Sequence, residues 1–191
     1  METDLDIDWA GTAKLESKEF QCGYCGKNVG SNKGFYSERG LEDGHRPWIY
    51  ICPHCARPNY FHRNERIPDV LPGAAVESVP DDVNSLYNES RKCVSCSAYT
   101  ASVLSSRKLL MNIAVNQGAN EGLRFIEYIN FLADKGYVPP NGKGWVDHIR
   151  KRGNEATHEI PQMTRDDAIE LVSFSEMLLK FIYEFQKHFR E

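Results

Sequence analysis

The stretch "DHIRKRGNEATHEIP", Asp147 to Pro161, sets Arg150, Asn154 and His158 four residues apart. On a continuous helix each four-residue step turns only about 40 degrees beyond a full revolution, so the three side chains share one side. Their types suit phosphate chemistry. Arginine presents a fixed fork of donors, histidine can move a proton near neutral pH, and asparagine can orient either one. Metal-independent cleavage of RNA needs such a set, a base for the ribose 2′-hydroxyl and a cation for the crowded phosphate. Arg152 points elsewhere on a straight helix and could help His158 if the helix kinks at Gly153. An interior glycine costs about 1 kcal/mol relative to alanine, so Gly153 needs a reason, such as close approach of a ligand or another backbone. One protomer would supply half of a generous site, and a two-fold dimer pairing these helices would double it. The alternative is a structural face, with Asn154 and His158 satisfying each other or capping buried groups and Arg150 in a surface ion pair.

A second chemistry lies in the cysteines. All six fall in Cys-x-x-Cys pairs: Cys22/Cys25, Cys52/Cys55 and Cys93/Cys96. In a reducing compartment, paired cysteines more often hold metal than form disulfides. "FQCGYCGKNVG" and "YICPHCARPNYFH" have the form of two rubredoxin-like knuckles, with Gly23 and Pro53 as turn residues, whose four sulfurs can close a tetrahedral Zn²⁺ shell. Four thiolates leave no position for a reactive water, so Cys22, Cys25, Cys52 and Cys55 predict structural zinc. His45, His54 and His62 are then surface residues. The third pair sits in a segment of helical periodicity, where cysteines at i and i+3 read as small buried apolar residues.

The elements that must position these groups fall into two parts. "WIYI" before Cys52 and "NYFH" after Cys55 read as strands, and the glycine-rich gap between the knuckles reads as an extended hairpin. The proline-bearing run "RNERIPDVLPGAAVESVPD" reads as a linker. Beyond it four helices are expected: a long one from Pro80 to about Asn116, a second ending at Gly136, a third over "GWVDHIRKRGNEATHE", and a fourth from the capping box "TRDD" onward. The expected organisation is a flexible acidic N-terminus over 1–19, a zinc ribbon over 20–63, a linker over 64–82 and a helical domain over 83–191. The predicted class is mainly α, a helical bundle with a small N-terminal β module.

Composition limits the partners. With 191 residues, 41% of them hydrophobic, the chain can bury a core, and its net charge of −4 gives no overall attraction to phosphate. Nucleic-acid contact must then come from local basic clusters. No apolar run is long enough for a membrane span and the N-terminus is acidic, so the expectation is a cytoplasmic protein with no membrane contact.

"IRKRGNEATH", with "VPDDVNSLYNES" and "SAYTASVLSSRKLL" upstream, resembles the HEPN-like bacterial domain of unknown function found alone or attached to restriction-endonuclease subunits. The resemblance covers about Pro68 to Phe189, and a zinc ribbon often precedes such domains. It implies a HEPN-like helical bundle that pairs as a homodimer through its active-site helices. It also implies RNA cleavage in a defence or toxin setting, with His158 as the proton-transfer group and Asn154 as the orienting residue. Gly153 stands where the commonest HEPN pattern has arginine, so Arg150 or Arg152 would serve as the phosphate clamp. The second reading is a non-catalytic adaptor dimer whose zinc ribbon recognises nucleic acid or a protein partner.

Overall fold

The computed structural model describes residues 7–138 and 163–185. The chain divides into two compact units, one ending at Leu71 and the other beginning at Pro72.

The first unit is an antiparallel meander of five strands in sequence order: β1 (Ala13–Gln21), β2 (Asn28–Tyr36), β3 (Trp48–Ile51), β4 (Pro58–His62) and β5 (Glu65–Ile67). Each strand pairs with its neighbour in sequence, so the chain reverses direction at every turn. That alternation decides what meets what. The β1–β2 and β3–β4 turns fall at one end of the sheet, and the β2–β3 loop and β4–β5 turn fall at the other. The inward face collects Leu15, Phe20, Tyr50 and the buried cysteines, with Trp48 and Phe61 packed against them. Phe20, Tyr50 and Phe61 make tilted and edge-on ring contacts with centroids 5.1 to 6.1 Å apart.

The sheet overturns the mainly α expectation. Of the described residues, 41% are helical and 19% are in strands, which makes the architecture α plus β rather than a helical bundle with a small appendage. The cause is visible in the strands themselves. β1, "AKLESKEFQ", begins inside the stretch expected to be flexible, and its lysines and glutamates mask a strand that shifts register between Lys14 and Lys18. β2, "NVGSNKGFY", is rich in glycine and asparagine and carries little intrinsic strand preference. β5 lies in the stretch read as a linker. Pairing to neighbours, rather than local propensity, makes these segments strands.

In the second unit the described helices are α1 (Asp81–Ser95), α2 (Tyr99–Asn116), α3 (Phe125–Asp134) and α4 (Arg165–Leu179), the last continuing as a π turn over Lys180–Glu184. Tyr87, Leu109, Leu110, Ile113, Ile129, Leu132, Phe174 and Leu178 are fully buried and form the centre of its core. The expected long first helix is broken in two. Ser97 takes φ of 61°, the Ala98 amide donates to the Cys93 carbonyl at 2.8 Å, and the Ser97 amide donates to the Val94 carbonyl at 2.9 Å. This is the Schellman stop, made here without glycine. The phase of burial therefore changes after Cys96: Leu104 is exposed, whereas Ser102, Val103 and Ser106 are buried. α4 starts as expected, Thr164 and Asp167 exchanging bonds of 2.8 and 3.2 Å as a capping box. The third expected helix, over "GWVDHIRKRGNEATHE", lies outside the described residues.

Candidate metal centre

Both knuckles are hairpin turns at the same end of the sheet, which is why cysteines so far apart in sequence converge. In the first, the Cys22 amide donates to the Lys27 carbonyl and the Gly26 amide to the Cys22 carbonyl, each at 2.9 Å. The second repeats the pattern, with the Cys52 amide on the Arg57 carbonyl at 3.0 Å and the Ala56 amide on the Cys52 carbonyl at 2.9 Å. Gly26 and Ala56 hold the same left-handed conformation at φ of 69° and 53°. Gly23 has a different reason to be glycine. A Cβ there would lie 2.2 Å from the Pro68 carbonyl oxygen.

The four sulfurs of Cys22, Cys25, Cys52 and Cys55 all lie within 4.8 Å of one another. Cys22 Sγ is 3.7 Å from Cys55 Sγ, and Cys25 Sγ is 3.9 Å from Cys52 Sγ. A tetrahedral zinc with Zn–S bonds of about 2.3 Å spaces its sulfurs about 3.8 Å apart, so the set fits a single tetrahedral thiophilic ion. Cys22, Cys52 and Cys55 are buried, Cys25 less so.

The surroundings favour thiolate at one corner. Burial pushes the Cys22 thiol up, but donors from the backbone of Cys25 and Tyr24 and from the Asn59 side chain outweigh it and hold Cys22 at about 7. Burial pushes the Cys25 and Cys55 thiols up, and the neighbouring sulfurs add to the effect. Four thiols so close together cannot all ionise without a cation among them. Asn59 is the residue that sequence reading missed. Fully buried in β4, it accepts from the Gly23 amide at 3.0 Å and approaches Cys22 Sγ with its Nδ2 at 3.5 Å. It thereby ties one knuckle to the strand following the other. Asn59 directly follows Pro58 and opens the "NYFH" stretch read as a strand, and nothing in its type marks it as a partner of a ligand.

At the other end of the sheet, Asp43 in the β2–β3 loop gathers basic groups. Arg63 Nε lies 2.7 Å and His62 Nε2 2.9 Å from its Oδ2, and the His45 amide donates to its Oδ1 at 2.8 Å. The His45 amide, then the charges of Arg63 and His62, hold the Asp43 carboxyl below its usual range. His62, expected at the surface, has a side chain only 14% exposed, whereas His45 and His54 are exposed.

Cys93 and Cys96 correct another expectation. Cys93 lies in the last turn of α1, but Cys96 stands just past its end, so the two do not share a buried helix face. Cys96 caps the end of α1 and is exposed, and Cys93 is half-buried. Among the described residues no further His, Cys, Asp or Glu group joins them as a ligand set. Arg150, Arg152, Asn154 and His158 lie outside the described residues.

The fold and site define a class: a two-unit α plus β protein whose N-terminal sheet gathers four cysteines in an arrangement compatible with a metal site. The chain belongs to the family described as Domain of unknown function (DUF4145), whose model matches residues 88–191. Comparison with curated proteins and with solved structures finds no match. Among the described residues, no helix is long and apolar enough to cross a membrane.

Proposed function

We propose that the protein acts on RNA as a HEPN-type, metal-independent endoribonuclease of a defence or toxin system, and that the four-cysteine centre holds structural Zn²⁺. The observation that carries the cleavage reading is the placement of Arg150, Asn154 and His158 at helical spacing within the segment matched by the family model. His158 takes the proton from the ribose 2′-hydroxyl, Arg150 or Arg152 bears the phosphate charge, and Asn154 orients the imidazole. A homodimer would bring two such sets to one cleft, in the reducing cytoplasm where the thiols remain free for metal.

The test is cleavage of RNA without added divalent metal and in brief EDTA. Cuts should leave cyclic phosphate ends, and His158→Ala should abolish them while leaving the melting temperature unchanged. RNA that is retarded in a salt-dependent gel but stays whole would instead support the adaptor reading. The closed thiolate set favours that second reading for the N-terminal unit, since four sulfurs around one ion stabilise a surface and leave no reactive position.

A further inference from the structure

The inward-facing register of the sheet continues past the metal centre into an open cleft of about 380 Å³. Its floor is aromatic. Trp48, Tyr50 and Phe61 line it, and Tyr36, outside the lining, stands opposite Trp48 on β2, so the rings of Tyr36, Trp48 and Phe61 share one face across three strands. Tyr50 lies beside them, its hydroxyl donating to the Glu16 carbonyl at 3.1 Å. Tyr36 is 48% exposed and its ring centroid is 5.8 Å from that of Trp48, which is half-buried, so these two rings offer the accessible π surface.

The rim is basic. Lys18 reaches over the Phe61 ring at 5.0 Å from β1, and Arg46 enters from the β2–β3 loop, exposed and with no ion-pair partner among the described residues. Arg63 closes the far side, its charge already met by Asp43. That leaves Lys18 and Arg46 against the single carboxylate of Glu16 in the lining. In a chain of net charge −4, a local cationic rim over exposed rings departs from the whole.

We propose that this cleft docks single-stranded RNA, one unstacked base lying against Trp48 and Tyr36 and its flanking phosphates on Lys18 and Arg46. The volume lies near the small end of ligand pockets, enough for one nucleotide rather than a helix. Aromatic rings on an open sheet accept any base through its π face, while lysine and arginine follow the backbone. Paired bases, stacked inside a duplex, cannot reach the floor. The inference rests on the reading above only in taking RNA as the partner. It needs neither cleavage nor the groups on the third expected helix.

The experiment uses the full zinc-loaded chain carrying His158→Ala, so that the probe stays whole, with a dye-labelled single-stranded RNA of about a dozen nucleotides. Anisotropy should show salt-dependent binding that weakens about tenfold or more in Trp48→Leu. In Lys18→Glu/Arg46→Glu the slope of log affinity against log salt should become shallower by about 0.7 for each lost phosphate contact. Arg46 is exposed and Lys18 is half-buried with its ammonium over the Phe61 ring. Zinc content and melting temperature are therefore measured on that variant too, and it is expected to keep its zinc even if Trp48→Leu loosens the sheet. Duplex RNA should bind more weakly than the single strand. Single-strand binding that survives the double reversal unchanged, or no binding at low salt, overturns the proposal. So does an equally tight complex with a polyglutamate peptide, which would make the cleft an acidic-peptide site. Wild-type chain that cuts RNA while the His158→Ala chain fails to bind would sink the cleft alone. Binding without cutting would sink the nuclease reading alone.

Discussion

Asn59 is the side chain that ties the two halves of the four-cysteine site together. Its amide closes the gap between the Gly23 backbone and Cys22 Sγ. Replacing it with alanine leaves a buried amide donor unpaired at a cost of about 1–3 kcal/mol, and should weaken metal affinity about 10- to 100-fold. Competition against a chromophoric zinc chelator measures the second effect. Cys22→Ser should go further and remove the ion: metal analysis of the native protein is expected to find one zinc per chain, and the variant none. At the opposite end of the sheet, the depressed Asp43 carboxyl has a definite sign. Whatever it adds to the loop is present above its unfolded value, about 3.9, and is lost as pH falls through the lower folded value. A carboxyl titration by NMR should place its midpoint below that of a free aspartate. Arg63→Ala should move the midpoint back up, and an unmoved midpoint would show that Arg63 is not a cause. The cysteine spacing was legible because knuckles carry their ligands in a local pattern. Asn59 and Asp43 were not, since each works on groups brought to it by pairing between distant strands.

At the scale of elements, short hydroxyl side chains let α1 and α2 approach closely. Ser90 Oγ lies 2.6 Å from Ser106 Oγ and 3.2 Å from Ser102 Oγ, and all three residues are fully buried. Ser90→Val would drive two methyl groups into that contact and orphan the Ser106 hydroxyl, so a loss of about 2–4 kcal/mol is expected in denaturant unfolding followed by helical circular dichroism. Arg91 does a different job on the same helix. Its guanidinium donates to the Pro72 and Gly73 carbonyls, each at 2.8 Å, and to Asn88 Oδ1 at 2.9 Å, pinning the segment that opens the second unit. Arg91→Ala should cost about 2–3 kcal/mol and expose residues 72–74 to early amide exchange or proteolysis. The helix break at Ser97 shows what residue types hide. Gly136, φ 80°, stops α3 just past its cap and was readable as a glycine, whereas the same stop at Ser97 was not.

For the whole molecule, the two cores share no residue, one built on sulfurs and rings and the other on helix-borne aliphatic and aromatic side chains. Chelation should therefore abolish the tertiary signal of the sheet and its Trp48 fluorescence while leaving most of the helical ellipticity, read in one sample at two wavelengths. Simultaneous loss of both would mean that the helical core needs the metal as well. A unit of about 70 residues buries only a small core, so its sheet is expected to draw much of its stability from an ion held by the four cysteines.

From the amino-acid sequence alone one could read the two knuckles and the gathering of their four cysteines, the strands flanking Cys52 and Cys55, the capping box at Thr164 and the stop at Gly136. Each is written in a few adjacent residues whose conformational or coordination preference is strong by itself. Only the tertiary structure decided that β1, β2 and β5 are strands, that α1 stops at Cys96 and Ser97, and that Trp48, Lys18 and Arg46 meet around one cleft. Those outcomes depend on which segments become neighbours, and pairing energy between remote residues leaves no mark in the local pattern.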